Sequence, residues 1–159
     1  MRIKNSALLL LVVILFFSCD KKRVFDEYKS VGDSWDKDSI VTFDLPKLDS
    51  TKRYNLFVNL RDNNNYPFNN LFLIVELETQ NGFTKVDTLE YQMANPDGSL
   101  LGDGFSDIKE NKLFYKEKVR FRGKYKVHIK HAVRENGKVP GVKTLKGITE
   151  VGFRIEKID

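Results

Sequence analysis

From residue 40 onward the chain alternates apolar and polar residues with a period of two, and this repeat limits its folds more than any other feature. "IVTFDL" at 40–45 sets Val41, Phe43 and Leu45 on one side. "RYNLFVNL" at 53–60 does the same with Tyr54, Leu56, Val58 and Leu60, and "NLFLIVELE" at 70–78 with Leu71, Leu73, Val75 and Leu77. "VDTLEYQM" at 86–93, "KVRF" at 118–121, "YKVHIKHAV" at 125–133 and "TEVGFRIEK" at 149–157 continue the pattern. Successive side chains of a strand point to opposite faces, so this is the mark of half-buried strands. "DNNN" at 62–65, Asn81-Gly82, "NPDG" at 95–98, Gly123 and Asn136-Gly137 punctuate the runs as turns. Seven to eight short strands with no long helical period predict an all-β fold, a single antiparallel β-sandwich over residues 39–159.

The Asn81-Gly82 turn tests that reading. A two-residue hairpin there would set Leu73 opposite Glu90 and Val75 opposite Thr88. A slip of one residue exchanges the faces of a strand. The predicted register therefore pairs Leu73 with Tyr91, Val75 with Leu89 and Leu71 with Met93, which requires a bulge or a three-residue loop at 81–83.

The N-terminus is of another kind. Arg2 and Lys4 precede an eleven-residue apolar run, Ala7 to Phe17, which ends at Ser18 and the chain's one cysteine, Cys19. A membrane-spanning helix needs about 20 residues, so the run is too short to cross a bilayer. Its length and basic flank fit a secretory signal peptide over 1–18. Ser18-Cys19 resembles the lipobox of bacterial lipoproteins, although Phe16 and Phe17 stand where that motif usually has Leu and a small residue. The resemblance implies cleavage before Cys19, a diacylglyceryl group on its thiol and an acyl chain on the new amine. These covalent lipids are the only cofactors expected, and two or more chains anchor a protein stably. Lys21, Lys22 and Arg23 would then lie at the headgroups. Residues 19–38 read as a lipidated N-terminus and tether that becomes ordered near Trp35. Loss of Arg2 and Lys4 with the leader lowers the net charge of +5 by two, too little to argue for nucleic acid.

Residues that could carry chemistry are sparse. His128 and His131 have odd spacing, so they point to opposite faces of a strand and cannot share a metal. No metal site, Gly-x-Ser-x-Gly elbow or P-loop is found, and Glu76 and Glu78 read as a solvated strand face. Asp97, Asp103 and Asp107 in "DGSLLGDGFSD" are candidate calcium ligands, but Gly with Asp is also ordinary turn composition. Lys116, Lys118, Arg120 and Arg122, with Lys124, Lys126 and Lys130 on the next strand, would share one face if both strands lay in one sheet. That face would suit an anionic partner, or would be a solvated surface that blocks edge pairing. "DNNNYPFNN" at 62–70 holds Tyr66, Pro67 and Phe68 in a loop that Pro67 stiffens. Those aromatics either dock a partner or fold back to cap the core.

Four segments taken together carry a family resemblance: "YNLFVNLRDNNNYPFNNLFLIVE" at 54–76, "VDTLEYQMANPDGSLLGDGFSDI" at 86–108, "FRGKYKVHIKHAVR" at 121–134 and "LKGITEVGFRIEK" at 145–157. In that order and spacing the chain resembles the gliding-motility lipoprotein GldH family of Bacteroidota. The resemblance implies a non-enzymatic envelope lipoprotein needed for surface gliding, a process tied in these bacteria to type IX secretion. Its expected partners are the membrane, through the anchor, and other gliding or secretion envelope proteins. Its oligomeric state is left open. In this phylum surface export uses acidic residues just after the cysteine, and here Asp20 is followed by three cations, so the periplasmic face of the outer membrane is expected. A lipid-anchored ligand-binding module, for example for glycan through exposed Tyr66, Phe68 or Trp35, is the alternative.

Overall fold

The computed structural model describes residues 20–158; Cys19, the leader expected over 1–18 and Asp159 lie outside them. Ten strands follow in order: β1 (Arg23–Ser30), β2 (Ser34–Asp36), β3 (Val41–Asp44), β4 (Tyr54–Asn63), β5 (Asn70–Thr79), β6 (Thr84–Gln92), β7 (Ile108–Val119), β8 (Tyr125–His131), β9 (Thr144–Lys146) and β10 (Ile148–Lys157). One antiparallel sheet has the order β1-β10-β4-β7 and the other β3-β8-β5-β6, while β2 and β9 form a separate ribbon. This is the expected all-β sandwich. Inward residues meet between the sheets, where Phe43 of one sheet lies 6.4 Å from Phe153 of the other. Trp35 and Leu145 of the ribbon are fully buried, and the Trp35 indole donates to the Ser39 carbonyl at 2.8 Å.

Period two located β3, β4, β5, β6, β8 and β10, and each departure from it has a physical cause. Residues 23–30 form β1, not a tether. Only Phe25 of β1 is buried, so an edge strand with a charged outer face shows little alternation. On that face Asp26 accepts from Arg154 at 2.8 Å, and Arg61 stacks on the Tyr28 ring at 4.3 Å. The strand placed at 118–121 is instead β7 at Ile108–Val119. Its register shifts twice around Leu56, Lys118 has a positive φ of 54°, and a buried Asn111 occupies an inward position.

The β5–β6 hairpin pairs Leu71 with Tyr91, Leu73 with Leu89 and Glu78 with Thr84. The parity is the expected one, but the register lies two residues from the predicted one. Thr79 donates to the Phe83 carbonyl at 2.8 Å and closes a three-residue loop over 80–82, where Gly82 takes φ 77°. A left-handed residue at the end of such a loop matches the twist of the strands.

The pairings define two ends. At the tether end Arg23 lies opposite Glu156, Lys157 opposite Tyr54, Tyr54 opposite Val119, and Asp44 opposite Lys126. The connections over 45–53, 80–83 and 120–124 lie there. Phe121 plugs this end, 5.9 Å from Tyr54 and 5.0 Å from Tyr125, centroid to centroid. The connections over 64–69, 93–107 and 132–143 lie at the opposite end.

Candidate functional site

A cleft of about 800 Å³ opens at the end away from the tether, between the three connections there. Its walls come from three local structures. In the first, Tyr66 turns inward, only 5% exposed, and its hydroxyl donates to the Asn70 carbonyl at 2.7 Å. Phe68 packs edge-on against it at 6.0 Å and is half-buried, while Pro67 stays exposed on the rim. The aromatics therefore cap the core, and only Phe68 and Pro67 face the cleft.

The second wall is the turn at 95–99. Asn95 donates its backbone N–H to the Ser99 carbonyl at 2.8 Å, and the Asp97 carboxylate accepts the Ser99 N–H at 2.9 Å. The Asn69 carbonyl ties this wall to the first, accepting from Met93 at 2.7 Å. The third is the Asn136-Gly137 turn, closed by a bond from the Lys138 N–H to the Glu135 carbonyl at 3.1 Å. Among the described residues the side chains of Asn69, Asn136 and Arg134 have no partner, although Asn70 bonds Glu90 at 3.1 Å. The cleft thus offers free amide donors and acceptors, one guanidinium and one aromatic side chain, beside two carboxylates, Glu90 and Glu135, that are engaged by Asn70 and Lys138. Such a lining binds polar chain or hydroxyl groups, and its volume lies in the usual range for ligand sites.

Behind the cleft lie buried polar groups. Asp62 is fully buried and accepts from Asn111 at 2.7 Å, and its second oxygen has no partner. Burial pushes its carboxyl up to about 7, against the pull of the Asn111 bond and of Lys109. Gly102 covers the pair so closely that a Cβ would lie 2.9 Å from the Asn111 side chain. His131 is buried with its Nε2 3.0 Å from the Trp35 carbonyl, and burial lowers its pKa.

Several predicted groupings do not form. The basic stripe is split, because β7 and β8 lie in opposite sheets. Lys116 pairs with Asp87 beside Tyr115, whereas Lys118, Arg120 and Arg122 stay solvated near the tether end. Lys126 sits 3.7 Å from Asp44 and Lys130 is exposed on the other sheet. Asp97, Asp103 and Asp107 serve separate turns, with Asp103 bridging Glu110 and Asp107 accepting from Asn64, and no metal-holding cluster forms among the described residues. Trp35 and Tyr66 are buried, so neither is an exposed glycan platform. Glu78 bonds His128 at 2.9 Å on the outer face. Sequence reading missed Arg134 and Asn136, whose only signal was a turn.

Three comparisons bear on this fold. A family described as "GldH lipoprotein" matches residues 23–155. A protein of Flavobacterium johnsoniae named "Gliding motility lipoprotein GldH" is 79% identical over 159 residues, covering 100% of both chains. A "Gliding motility lipoprotein GldH homolog" of Christiangramia forsetii is 58% identical over 149 residues, covering 92% of this chain and 91% of its own. A solved viral chain, the VP2 subviral particle of infectious bursal disease virus, overlaps with a TM-score of 0.36 at 14% identity, covering 87% of this chain and 34% of that one. An overlap that weak carries no argument.

Proposed function

The chain belongs to the GldH lipoprotein family, and from that premise we propose that it acts in gliding motility as a non-enzymatic, lipid-anchored interaction component of the gliding and type IX secretion apparatus. The anchor is the acylated Cys19, and the site is the periplasmic leaflet of the outer membrane. The absence of an acidic pair after Cys19 supports that leaflet, and the one acid there, Asp20, is engaged by Arg154.

The observation that carries the docking reading is the cleft between the three loops away from the tether. The backbones of its Arg134, Asn69 and Asn136 are held, Asn136 in a hydrogen-bonded turn, Arg134 in a bridge to Gly141 and Asn69 by the Met93 N–H that its carbonyl accepts, while the side chains of all three are unpartnered among the described residues, so little backbone order is lost when a partner binds. Arg134→Glu in the full chain should abolish gliding at unchanged protein level and melting temperature. Affinity purification should recover gliding or secretion envelope proteins with the parent and not with the variant. Normal gliding by Arg134→Glu removes the cleft from the docking reading. The amide-rich lining beside Phe68 also supports a second reading, a saccharide ligand, for which calorimetric titration with oligosaccharides would give saturable heat.

A further inference from the structure

We propose that the tether end of the sandwich is a second functional surface, which seats the domain directly on anionic phospholipid headgroups. The inference rests on acylation of Cys19. Only three residues, Asp20, Lys21 and Lys22, separate Cys19 from β1, and the four steps from Cys19 to Arg23, at about 3.5 Å each, reach no more than about 14 Å. The domain cannot swing free, and the end carrying Arg23 must lie close to the bilayer.

The fold gathers solvated cations at that end from segments far apart in the chain. Lys47 and Arg53 come from the 45–53 connection, and Arg120, Arg122 and Lys124 from the 120–124 connection, all exposed and with side chains that have no partner among the described residues. The acids nearby are partly neutralised: Asp49 sits 3.8 Å from Lys52 and accepts from Thr51, and Asp44 sits 3.7 Å from Lys126. A cleft of about 710 Å³ lies within this end, lined by Lys47, Lys124, Lys126 and Tyr125 together with Asp44 and Glu78; Asp44 faces Lys126 and Glu78 is bonded to His128, so the lysines set the sign of a site for a phosphate-bearing headgroup. Phe83, 70% exposed on the neighbouring hairpin, supplies an apolar side chain at the height where headgroups meet acyl chains. A charge surface acts over a Debye length of about 8 Å at physiological salt, within the reach set by the short link. The cleft at the other end then faces the aqueous space.

The test uses the mature acylated protein, its mass confirming the lipid, on vesicles of phosphatidylcholine alone or mixed with phosphatidylglycerol. Cys19 is the only native cysteine and is blocked by acylation, so Ser50→Cys and Val139→Cys each take one fluorophore, at the tether end and the far end. A quencher on the lipid headgroups should quench the residue 50 probe several-fold more than the residue 139 probe on phosphatidylglycerol vesicles. The difference should shrink with added salt and with Arg122→Glu plus Lys124→Glu. Equal quenching of the two probes, or quenching at residue 50 insensitive to phosphatidylglycerol, overturns the proposal and points to an acidic protein as the partner of these cations. Release of the protein from both vesicle types would show that acylation does not anchor it, and the proposal falls with that reading.

Discussion

At the tether end Phe121 is wedged between Tyr54 and Tyr125, and the charges around it stand in solvent; at the opposite end the core closes over Asp62, Asn111 and His131, all buried. The tether-end closure is apolar and its energy comes from removing aromatic surface from water. The far end is closed by long loops that bring backbone within contact of buried polar groups. Gly147, at φ 83°, lies so near the Tyr66 backbone that a Cβ would sit 2.3 Å from its nitrogen. The apolar plug itself carries no titrating group, whereas the buried polar groups of the far end include Asp62 and His131, which titrate. The difference separates an apolar closure at the end proposed to face the membrane from a closure that contains buried polar groups.

The largest effect tests the apolar plug. Phe121 is 1% exposed, and truncation of a buried aromatic costs about 3–5 kcal/mol. Phe121→Ala should lower denaturant stability by that amount at every pH from acid to neutral. A loss below about 1 kcal/mol would show that Tyr54 and Tyr125 collapse into the gap, and the two ends would then not differ in kind.

The sandwich was readable because alternation is imposed wherever one strand face is buried, as Leu71, Leu73, Val75 and Leu77 of β5 are. It fails where burial is not alternate. β1 buries Phe25 alone, and β7 puts Asn111 on an inward position and shifts register around Leu56. The hairpin parity followed from matching apolar faces, but the direction of the slip depended on the turn at 80–82, which pattern alone does not fix. The cleft could not be read either. Arg134 and Asn136 come from one loop and Asn69 from another, and only the folded topology joins them. Sheet membership was equally hidden: of the seven cations expected on one face, Lys116 and Lys118 lie on β7, Lys126 and Lys130 on β8 of the other sheet, and Arg120, Arg122 and Lys124 in the connection between them.

The next effect tests the titrating end. Asp62 has a native pKa near 7 against an ordinary carboxyl near 4. Its carboxyl binds a proton more tightly folded than unfolded, so its contribution to stability is greatest below pH 4. That contribution is lost as pH rises to about 7 and is constant above, with a slope of at most about 1.4 kcal/mol per pH unit. Other carboxylates slope the opposite way, so the measurement is a difference. The stability of Asp62→Asn minus that of the parent should rise between pH 4 and 7 and then level off. A flat difference would mean that water or local opening solvates Asp62. His131 acts with the reverse sign, because its pKa is depressed by burial: stability falls as pH drops below about 6.5.

A smaller change asks whether Tyr66 is structural. Tyr66→Phe keeps the buried ring and removes the donor to the Asn70 carbonyl, for a loss of about 1 kcal/mol. Gliding should persist in proportion to protein level. Abolished gliding with an unchanged melting temperature would return Tyr66 to the docking surface.

The smallest effect on stability is expected at the cations of the proposed headgroup surface. Arg122 and Lys124 are exposed, flank Gly123 at φ 94°, and their side chains have no partner among the described residues. Substitution at such surface positions changes stability by about 0.5 kcal/mol or less. Arg122→Glu with Lys124→Glu keeps Gly123, so the turn is not strained. Replacing two cations by two anions also relieves some repulsion with Arg120 and Lys126, so the small change should be of either sign and shrink with salt. Equilibrium urea unfolding of parent and variant at low and high salt reads it directly. A loss of more than about 1 kcal/mol that survives high salt would show these side chains to be part of the closure around Phe121. The tether end would then owe its stability to its charges as well as to its aromatics, and the contrast with the far end would have to be redrawn.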